Sequence, residues 1–233
     1  MKIGIIGEFN PGYYTHLALI KAFTHSVDFL QKRFTLEWIP TDILPEFFDK
    51  EILSLDGVLM SMGTPYSDID SALKVIKYAR ENDIPLMAIC GGFQHVLIEY
   101  ARNVKGIENA EHEETSPDAE NLLITSLSCS LAGKADNLRV TNKKSKMYEI
   151  LETENFEGKY HCNYGLNKKY ESVLFEEALV STVVNEENEI RAIELKGHRF
   201  YIATLFQHQL YSEAGHPSKL LNAFIEQSFH NQK

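Results

Sequence analysis

One cysteine, Cys90, stands where the hydrophobic pattern of the chain changes from that of a strand to that of a helix. Residues 84–89 form a short apolar run, which is typical of a buried strand in a parallel sheet. The apolar residues of the following segment recur every three or four positions, the pattern of an amphipathic helix: Phe93, Val96, Leu97, Tyr100, Ala101 and Val104. A thiol at such a junction meets the positive end of a helix, which favours a thiolate and can stabilise an oxyanion. The pattern therefore predicts a cysteine nucleophile.

Two glycines, Gly91 and Gly92, follow this cysteine directly. A sharp strand-to-helix turn strains the backbone of its junction residue, and it needs glycines because the helix must pass close to the strand. The competing interpretation is a small buried core cysteine, which is common for a free thiol. The junction is only moderately specific, so the local sequence leaves both interpretations open.

The elements that would hold this junction alternate between strand and helix through the first 104 residues. Apolar segments predict strands at residues 2–7, 34–39, 56–60 and 84–89, with amphipathic helices between them. This alternation predicts an α/β fold with a doubly wound, mostly parallel, flavodoxin-like sheet flanked by helices. The loops at residues 7–16, 61–67 and 90–92 would then converge at the carboxyl ends of the strands, where ligands bind in such sheets.

The second half of the chain is less regular. Further strands are predicted at residues 122–127, 138–141 and 159–164, and an antiparallel extension at residues 179–184, 190–195 and 200–206. Pro217 is expected in the first turn of a last helix. No linker-like segment divides the chain, so residues 1–233 are expected to form one domain.

The composition excludes several classes of protein. The net charge of -10 and the lack of a long basic run argue against a nucleic-acid partner. No apolar run approaches the roughly 20 residues that span a bilayer. Three cysteines, Cys90, Cys129 and Cys162, are an odd number, and the first strand begins directly after Met1. We therefore expect free thiols in a cytoplasmic protein, with no metal or cofactor.

Several longer motifs resemble one known family. They are residues 78–85, Cys90-x-Gly92-x-Gln94, residues 98–104, Glu108-Asn109-Ala110, Tyr164-x-x-Asn167 and Gly215-His216-Pro217. Together they resemble class I glutamine amidotransferases, and within them the glutaminase domain of CTP synthase, over nearly the whole chain. The resemblance implies that a cysteine thiolate attacks the side-chain amide of glutamine, that ammonia leaves, and that water resolves the thioester.

The resemblance also implies roles for particular residues. The base is a histidine at the end of a late strand, a place that His208 fits. Gly63 and Gly91 resemble the two sources of backbone N–H groups for the oxyanion. Gln94 and Glu114 resemble the groups that hold the polar head of glutamine. The alternatives are a surface histidine, a helix-surface glutamine and a solvated acid in an acidic loop.

The chain departs from the family pattern at several positions. The glutamate expected two places after the histidine is Leu210, which cannot orient an imidazole, although Glu213 lies close along the chain. The arginine that would clamp the α-carboxylate of the substrate is Asn163, which carries no charge. The glycine-rich oxyanion loop keeps one glycine and contains Pro65, and Ala88 stands where glycine is usual.

These departures leave three functions open. The first is a free-standing, glutaminase-like amide hydrolase with a Cys90–His208 pair, whose substrate has a masked or differently bound carboxylate. The second is a catalytically reduced domain that acts as a binding or regulatory subunit. The third is an unrelated cysteine hydrolase or isomerase. No glycine-rich phosphate-binding loop with a following lysine is present, so the ammonia acceptor would be a separate synthetase protein, or the ammonia would simply be released. Homo-oligomers are a further option.

Overall fold

A computed structural model describes residues 1–127 and 130–230. In the first half the elements are β1 Lys2–Ile6, α1 Tyr14–Leu30, β2 Thr35–Ile39, α2 Leu44–Ile52, β3 Gly57–Met60, α3 Ile69–Glu81, β4 Leu86–Ile89, α4 Gly91–Asn103 and β5 Ala110–His112. In the second half they are β6 Asn121–Ser126, β7 Ala135–Val140, α5 Lys146–Leu151, β8 Asn155–Lys159, β9 Tyr164–Leu166, α6 Glu171–Leu174, β10 Leu179–Val184, β11 Ile190–Leu195, β12 Tyr201–Thr204 and α7 Lys219–Phe229.

The main sheet has nine strands in the order β2-β1-β3-β4-β12-β11-β10-β7-β8. The first five strands in this order are parallel, and the remaining four continue the sheet in antiparallel pairs. The predicted fold class, a doubly wound and mostly parallel sheet with an antiparallel extension, is therefore confirmed.

The centre of this sheet is covered on both faces. All residues of β3, β4 and β12 are buried, as expected for parallel strands that lie between layers of helices. Helix α4 is also enclosed, because every residue from Gly91 to Ala101 is buried. The start of α4, directly after the carboxyl end of β4, is therefore held in place by the surrounding core.

Two predictions for the second half were wrong. The segment predicted as one strand at residues 159–164 belongs to two strands, because β8 ends at Lys159 and β9, in a separate three-stranded sheet, begins at Tyr164. Tyr160 and Cys162 gave the segment its alternating pattern, but both are buried within a loop. The last helix begins after Ser218, whose side chain caps it, so Pro217 precedes the helix.

The carboxyl ends of the parallel strands lie at one edge of the sheet. The backbone N–H of Cys90 donates to the carbonyl of Thr204 at 2.7 Å, which fixes the end of β12 against the start of α4. No helix within the described residues is long and apolar enough to cross a membrane.

Candidate active site

Cys90 lies at a strained turn between β4 and α4. Its backbone has φ 54° and ψ -105°, a conformation that L-residues rarely adopt. A Cβ added to Gly92 would lie 2.5 Å from the carbonyl oxygen of Met60, and one added to Gly91 would lie 2.3 Å from a methyl carbon of Thr64. The helix therefore passes close to β3, and the turn has the geometry predicted for a nucleophile elbow.

A cavity of about 320 Å³ adjoins the cysteine at the carboxyl ends of the strands. It is lined by Gly12, Tyr13, Tyr14, Thr15, Met62, Gly63, Thr64, Cys90, Gln94, Glu114, His161, Cys162, Asn163, Tyr164 and Gln207. The three predicted loops contribute to this wall. The cavity also brings together five predicted site residues from distant parts of the sequence: Cys90, Gly63, Gln94, Glu114 and Asn163.

His208 does not face this cavity. It lines a second cavity of about 210 Å³, together with Ser218 and Tyr211. Its Nδ1 is hydrogen-bonded to Oγ of Ser218 at 2.7 Å, and its buried Nε2 has no hydrogen-bond partner within the described part of the chain. Burial lowers the pKa of His208 to about 3. The predicted Cys90–His208 pair is therefore not formed in this structure.

Gln207 takes the place that the prediction gave to the histidine. The backbone N–H of Gln207 donates to the carbonyl of Lys159 at 2.8 Å, and its side chain lies in the wall of the cysteine cavity. The chain then turns into a 3-10 helix, His208–Tyr211, which carries the next side chain to the other cavity. Gln207, one residue before His208, therefore occupies the position that was predicted for the base.

The side chain of Gln207 is hydrogen-bonded to that of Gln209. The prediction had instead placed Leu210 at the position two residues after the base. The side-chain Nε2 of Gln209 donates to Oε1 of Gln207 at 2.9 Å. This spacing of two residues is the one that the resemblance gives for the base and its orienting glutamate. Leu210 lines a different cavity with Tyr14, and Glu213 forms an isolated bridge with His216. A carboxamide pair cannot transfer a proton near neutral pH, so neither glutamine is a general base.

Gln94 is held by a buried histidine. The N–H of Glu114 donates to Nδ1 of His112 at 3.0 Å, so Nε2 of the neutral ring carries the proton and donates to Oε1 of Gln94 at 3.1 Å. Burial lowers the pKa of His112 to about 3, which keeps the ring neutral. Nε2 of Gln94 donates to the carbonyl of Tyr164 at 3.0 Å, and the carboxylate of Glu114 accepts from Oγ1 of Thr64 at 3.0 Å. The amide of Gln94 therefore has a fixed orientation.

A second buried histidine orients the loop of Gly63. The N–H of Asn10 donates to Nδ1 of His16, so Nε2 donates to the carbonyl of Met62 at 2.9 Å. Burial lowers the pKa of His16, which favours the neutral ring. The C=O and N–H of a trans peptide point in opposite directions, so the N–H of Gly63 points away from His16. Gly63 has φ 93°, and a Cβ there would lie 2.8 Å from the imidazole of His16.

The cavity wall also contains a second thiol, that of Cys162. Cys162 is buried and hydrogen-bonded to Cys90, and this bond and burial raise the pKa of Cys162 well above its usual range. Both cysteines are free, whereas Cys129, the third, lies outside the described residues. The sulfur of Cys90 is also 3.8 Å from the carbonyl oxygen of His161. Among the described residues, no three His, Cys, Asp or Glu side chains are placed to hold a metal ion.

The sequence reasoning missed Gln207, Gln209, His112, His16 and Cys162. The spacing of Gln207 and Gln209 after a strand next to the elbow was a usable signal for the first two. The histidines gave no such signal, because their partners lie up to 46 residues away along the chain.

Comparison with known proteins supports the resemblance. The chain is 26% identical to the CTP synthase of Nautilia profundicola and 28% identical to that of Carboxydothermus hydrogenoformans, over its whole length in both cases. It covers only 47% and 45% of these relatives, so it spans less than half of their length.

Two solved structures show the same fold. One is the Trypanosoma brucei CTPS glutaminase domain with bound acivicin, with a TM-score of 0.91 and 21% identity over 100% of this chain and 95% of that one. The other is a glutamine amidotransferase from Thermotoga maritima, with a TM-score of 0.66 and 10% identity over 98% of this chain and 97% of that one. The family model described as Glutamine amidotransferase class-I matches residues 17–206. The chain therefore belongs to the class I glutamine amidotransferase family.

Proposed function

We propose that this domain binds a primary carboxamide of the glutamine type beside Cys90 and acts as a binding or regulatory domain with little turnover. The cavity supports binding because it combines a thiol with a fixed amide, Gln94, and a carboxylate, Glu114. These groups can hold the amide and amino groups of one small ligand.

The observation that carries this proposal is that Gln207, and not His208, lines the cavity of Cys90. A general base typically contributes 10²- to 10⁴-fold to the rate of such a reaction. His208, the histidine that directly follows Gln207, faces another cavity, and its Nδ1 is hydrogen-bonded to Oγ of Ser218. Loss of the base slows both attack by the thiol and attack by water, but it does not remove the ligand cavity.

The second candidate is a glutaminase-like amide hydrolase with Cys90 as nucleophile. It is favoured by the strained elbow, with φ 54° at Cys90 directly before α4. In this reaction the thiolate adds to the amide carbon and the C–N bond breaks. Ammonia then leaves, and water cleaves the thioester to a carboxylate. Because position 207 carries no imidazole and that of His208 lines the other cavity, the protons would be exchanged with water.

The partner and location also follow as proposals. The relatives are more than twice as long as this chain and are named CTP synthase. A separate ammonia-accepting synthetase is therefore the partner that fits the hydrolase, whereas a binding domain could act on such a protein or within a homo-oligomer. The free thiols of Cys90 and Cys162 fit a reducing, cytoplasmic environment.

Calorimetric titration with glutamine-type carboxamides, together with an ammonia assay, tests the proposal. We expect saturable binding to the wild-type protein, weaker binding to Gln94→Ala, and unchanged binding to Gln227→Ala, which alters a helix glutamine outside the cavity. The wild-type protein should form ammonia no faster than Cys90→Ser does. Absence of binding for every such carboxamide would refute the proposal.

The same assays separate the two candidates. Ammonia release that disappears in Cys90→Ser would establish the hydrolase. Acivicin, as a glutamine-mimicking electrophile, gives an independent readout by mass spectrometry. Rapid modification at Cys90 alone would favour the hydrolase, whereas a thiol that stays inert while acivicin is bound would favour the binding domain.

A further inference from the structure

We infer that the ligand of this cavity carries its α-carboxyl group as a neutral amide, as in glutaminamide or the amino-terminal glutamine of a peptide. The inference rests on the proposed function and names the class of ligand. It follows from the charges of the cavity wall, the orientation of Asn163, and the exposure of the wall at Tyr13 and Tyr14.

The cavity wall is acidic. Of the described residues that form it, Glu114 is the one carboxylate, and neither lysine nor arginine is among them. A free amino acid would bring a carboxylate into a confined site without a cationic partner, which is unfavourable because the lost hydration is not replaced. An α-ammonium group, in contrast, can pair with Glu114. The wall therefore favours a ligand with an amino group and without a carboxylate.

Asn163 presents a neutral donor to the cavity. The N–H of Ala132 donates to Oγ of Ser130 at 3.2 Å, so this hydroxyl can donate its own proton to Oδ1 of Asn163, at 2.6 Å. The oxygen of the Asn163 side chain is thereby engaged, and its NH₂ group remains available. A neutral N–H donor matches an amide carbonyl, whereas a carboxylate is bound more strongly by the charged, bidentate donor of an arginine.

The cavity also reaches the surface of the protein. Tyr13 and Tyr14 line it, and each side chain is 50% exposed. The edge of the Tyr14 ring also packs against His161, with ring centroids 5.3 Å apart. A ligand that continues beyond its α-carboxyl group can therefore leave along an aromatic wall, as a peptide chain would.

Titration calorimetry at pH 7 with three probes tests the inference: L-glutaminamide, the dipeptide Gln-Gly and L-glutamine. We expect both amides to bind with a Kd at least tenfold lower than that of L-glutamine. Equal or tighter binding of L-glutamine to the wild-type protein would overturn the inference and leave the proposed function standing.

A charge added at position 163 gives the complementary test. Asn163→Arg should lower or reverse the preference for the amides, because it supplies the missing cation. The matched control is Asn155→Arg, which adds the same charge at an exposed asparagine outside the cavity and should keep the wild-type preference. An unchanged preference in Asn163→Arg would contradict the inference. Failure of all three probes to bind the wild-type protein would overturn the proposed function, and the inference with it.

Discussion

Gln207 and His208 are neighbours in sequence, but their side chains line two different cavities, of about 320 Å³ and 210 Å³. The first cavity contains Cys90, and the second contains Ser218, which is hydrogen-bonded to the imidazole. A shift of one residue after β12 therefore decides which side chain meets the thiol. Here a glutamine shares the cavity with the thiol, and the imidazole packs beside Ser218 at the start of α7.

The buried position of His208 predicts an effect on stability at low pH. Burial holds its pKa at about 3 in the folded protein, below the usual 6.5, so the unfolded chain binds the proton first as the pH falls. The contribution of His208 to the stability of the folded state is thus lost below about pH 6.5, by about 2 kcal/mol between pH 7 and pH 5. In urea unfolding, the free energy of unfolding of His208→Asn should fall by about 2 kcal/mol less than that of the wild type between pH 7 and pH 5.

The same variant tests whether this histidine contributes to the ligand cavity. His208→Asn should bind glutamine-type carboxamides with unchanged affinity, since the imidazole does not line their cavity. A wild-type pH slope in the variant would contradict the burial argument. A large loss of ligand affinity without loss of folding would show that His208 acts at the thiol.

Much of the fold was predictable because its signals are local. Apolar runs and helical periodicity in the first 104 residues reflect strands buried on both faces and helices that cover them. The segment from Tyr160 to Cys162 was not predictable in this way. Its apolar side chains are buried in a loop, and a loop with buried side chains has the same sequence pattern as a strand.

The tight turn at Cys90 predicts that a side chain at Gly92 would strongly destabilise the folded protein. A Cβ there would lie 2.5 Å from the backbone oxygen of Met60, and neither backbone can easily move because both lie in the core. Gly92→Ala should lower the free energy of unfolding by about 3 kcal/mol, the upper range for overpacking. Thermal and urea unfolding would measure this loss.

Gly12→Ala is the matched control for this experiment. Its added Cβ would meet only the side-chain oxygen of Asn10, at 3.1 Å, in an exposed loop. We expect a change within about 0.5 kcal/mol, as for most surface substitutions. Similar losses in both variants would argue against a tight contact between α4 and β3.

His112 is predicted to act as a positioning residue for Gln94. His112→Phe keeps an aromatic ring beside Tyr164 but removes the donor to Oε1 of Gln94. One hydrogen bond is worth on the order of 1 kcal/mol, so the Kd for a glutamine-type carboxamide should rise about fivefold. Titration calorimetry would measure this change.

The control for His112 should separate ligand binding from folding. His25→Phe removes another buried histidine, which is hydrogen-bonded to Ser212 and does not line the cavity. Its Kd should equal that of the wild type even if its melting temperature falls. Equal affinity of His112→Phe and the wild type would show that Gln94 keeps its orientation without the imidazole.

The site was only partly predictable, for a physical reason. Cys90 and Gly63 lie in loops whose convergence follows from the strand order, and the structure brings them together with Gln94 of α4 and with Glu114 and Asn163. The base could not be assigned in this way, because a side chain after the end of a strand changes direction with each residue. His208 was chosen by residue type, whereas the hydrogen bond from Cys90 to Thr204 sets the register that places Gln207 at the thiol.

The cavity of Cys90 has a glutamine instead of a base at position 207, and the decisive experiment restores the base. Ammonia release from a bound glutamine-type carboxamide should be compared in the wild-type protein, Gln207→His/Gln209→Glu, and the same double variant with Cys90→Ser. We predict that the double variant gains on the order of 10²-fold over the wild type, the lower range for a general base, and that Cys90→Ser removes the gain. Rapid, Cys90-dependent ammonia release by the wild-type protein, with no gain in the double variant, would show that the site is catalytic without a base at position 207.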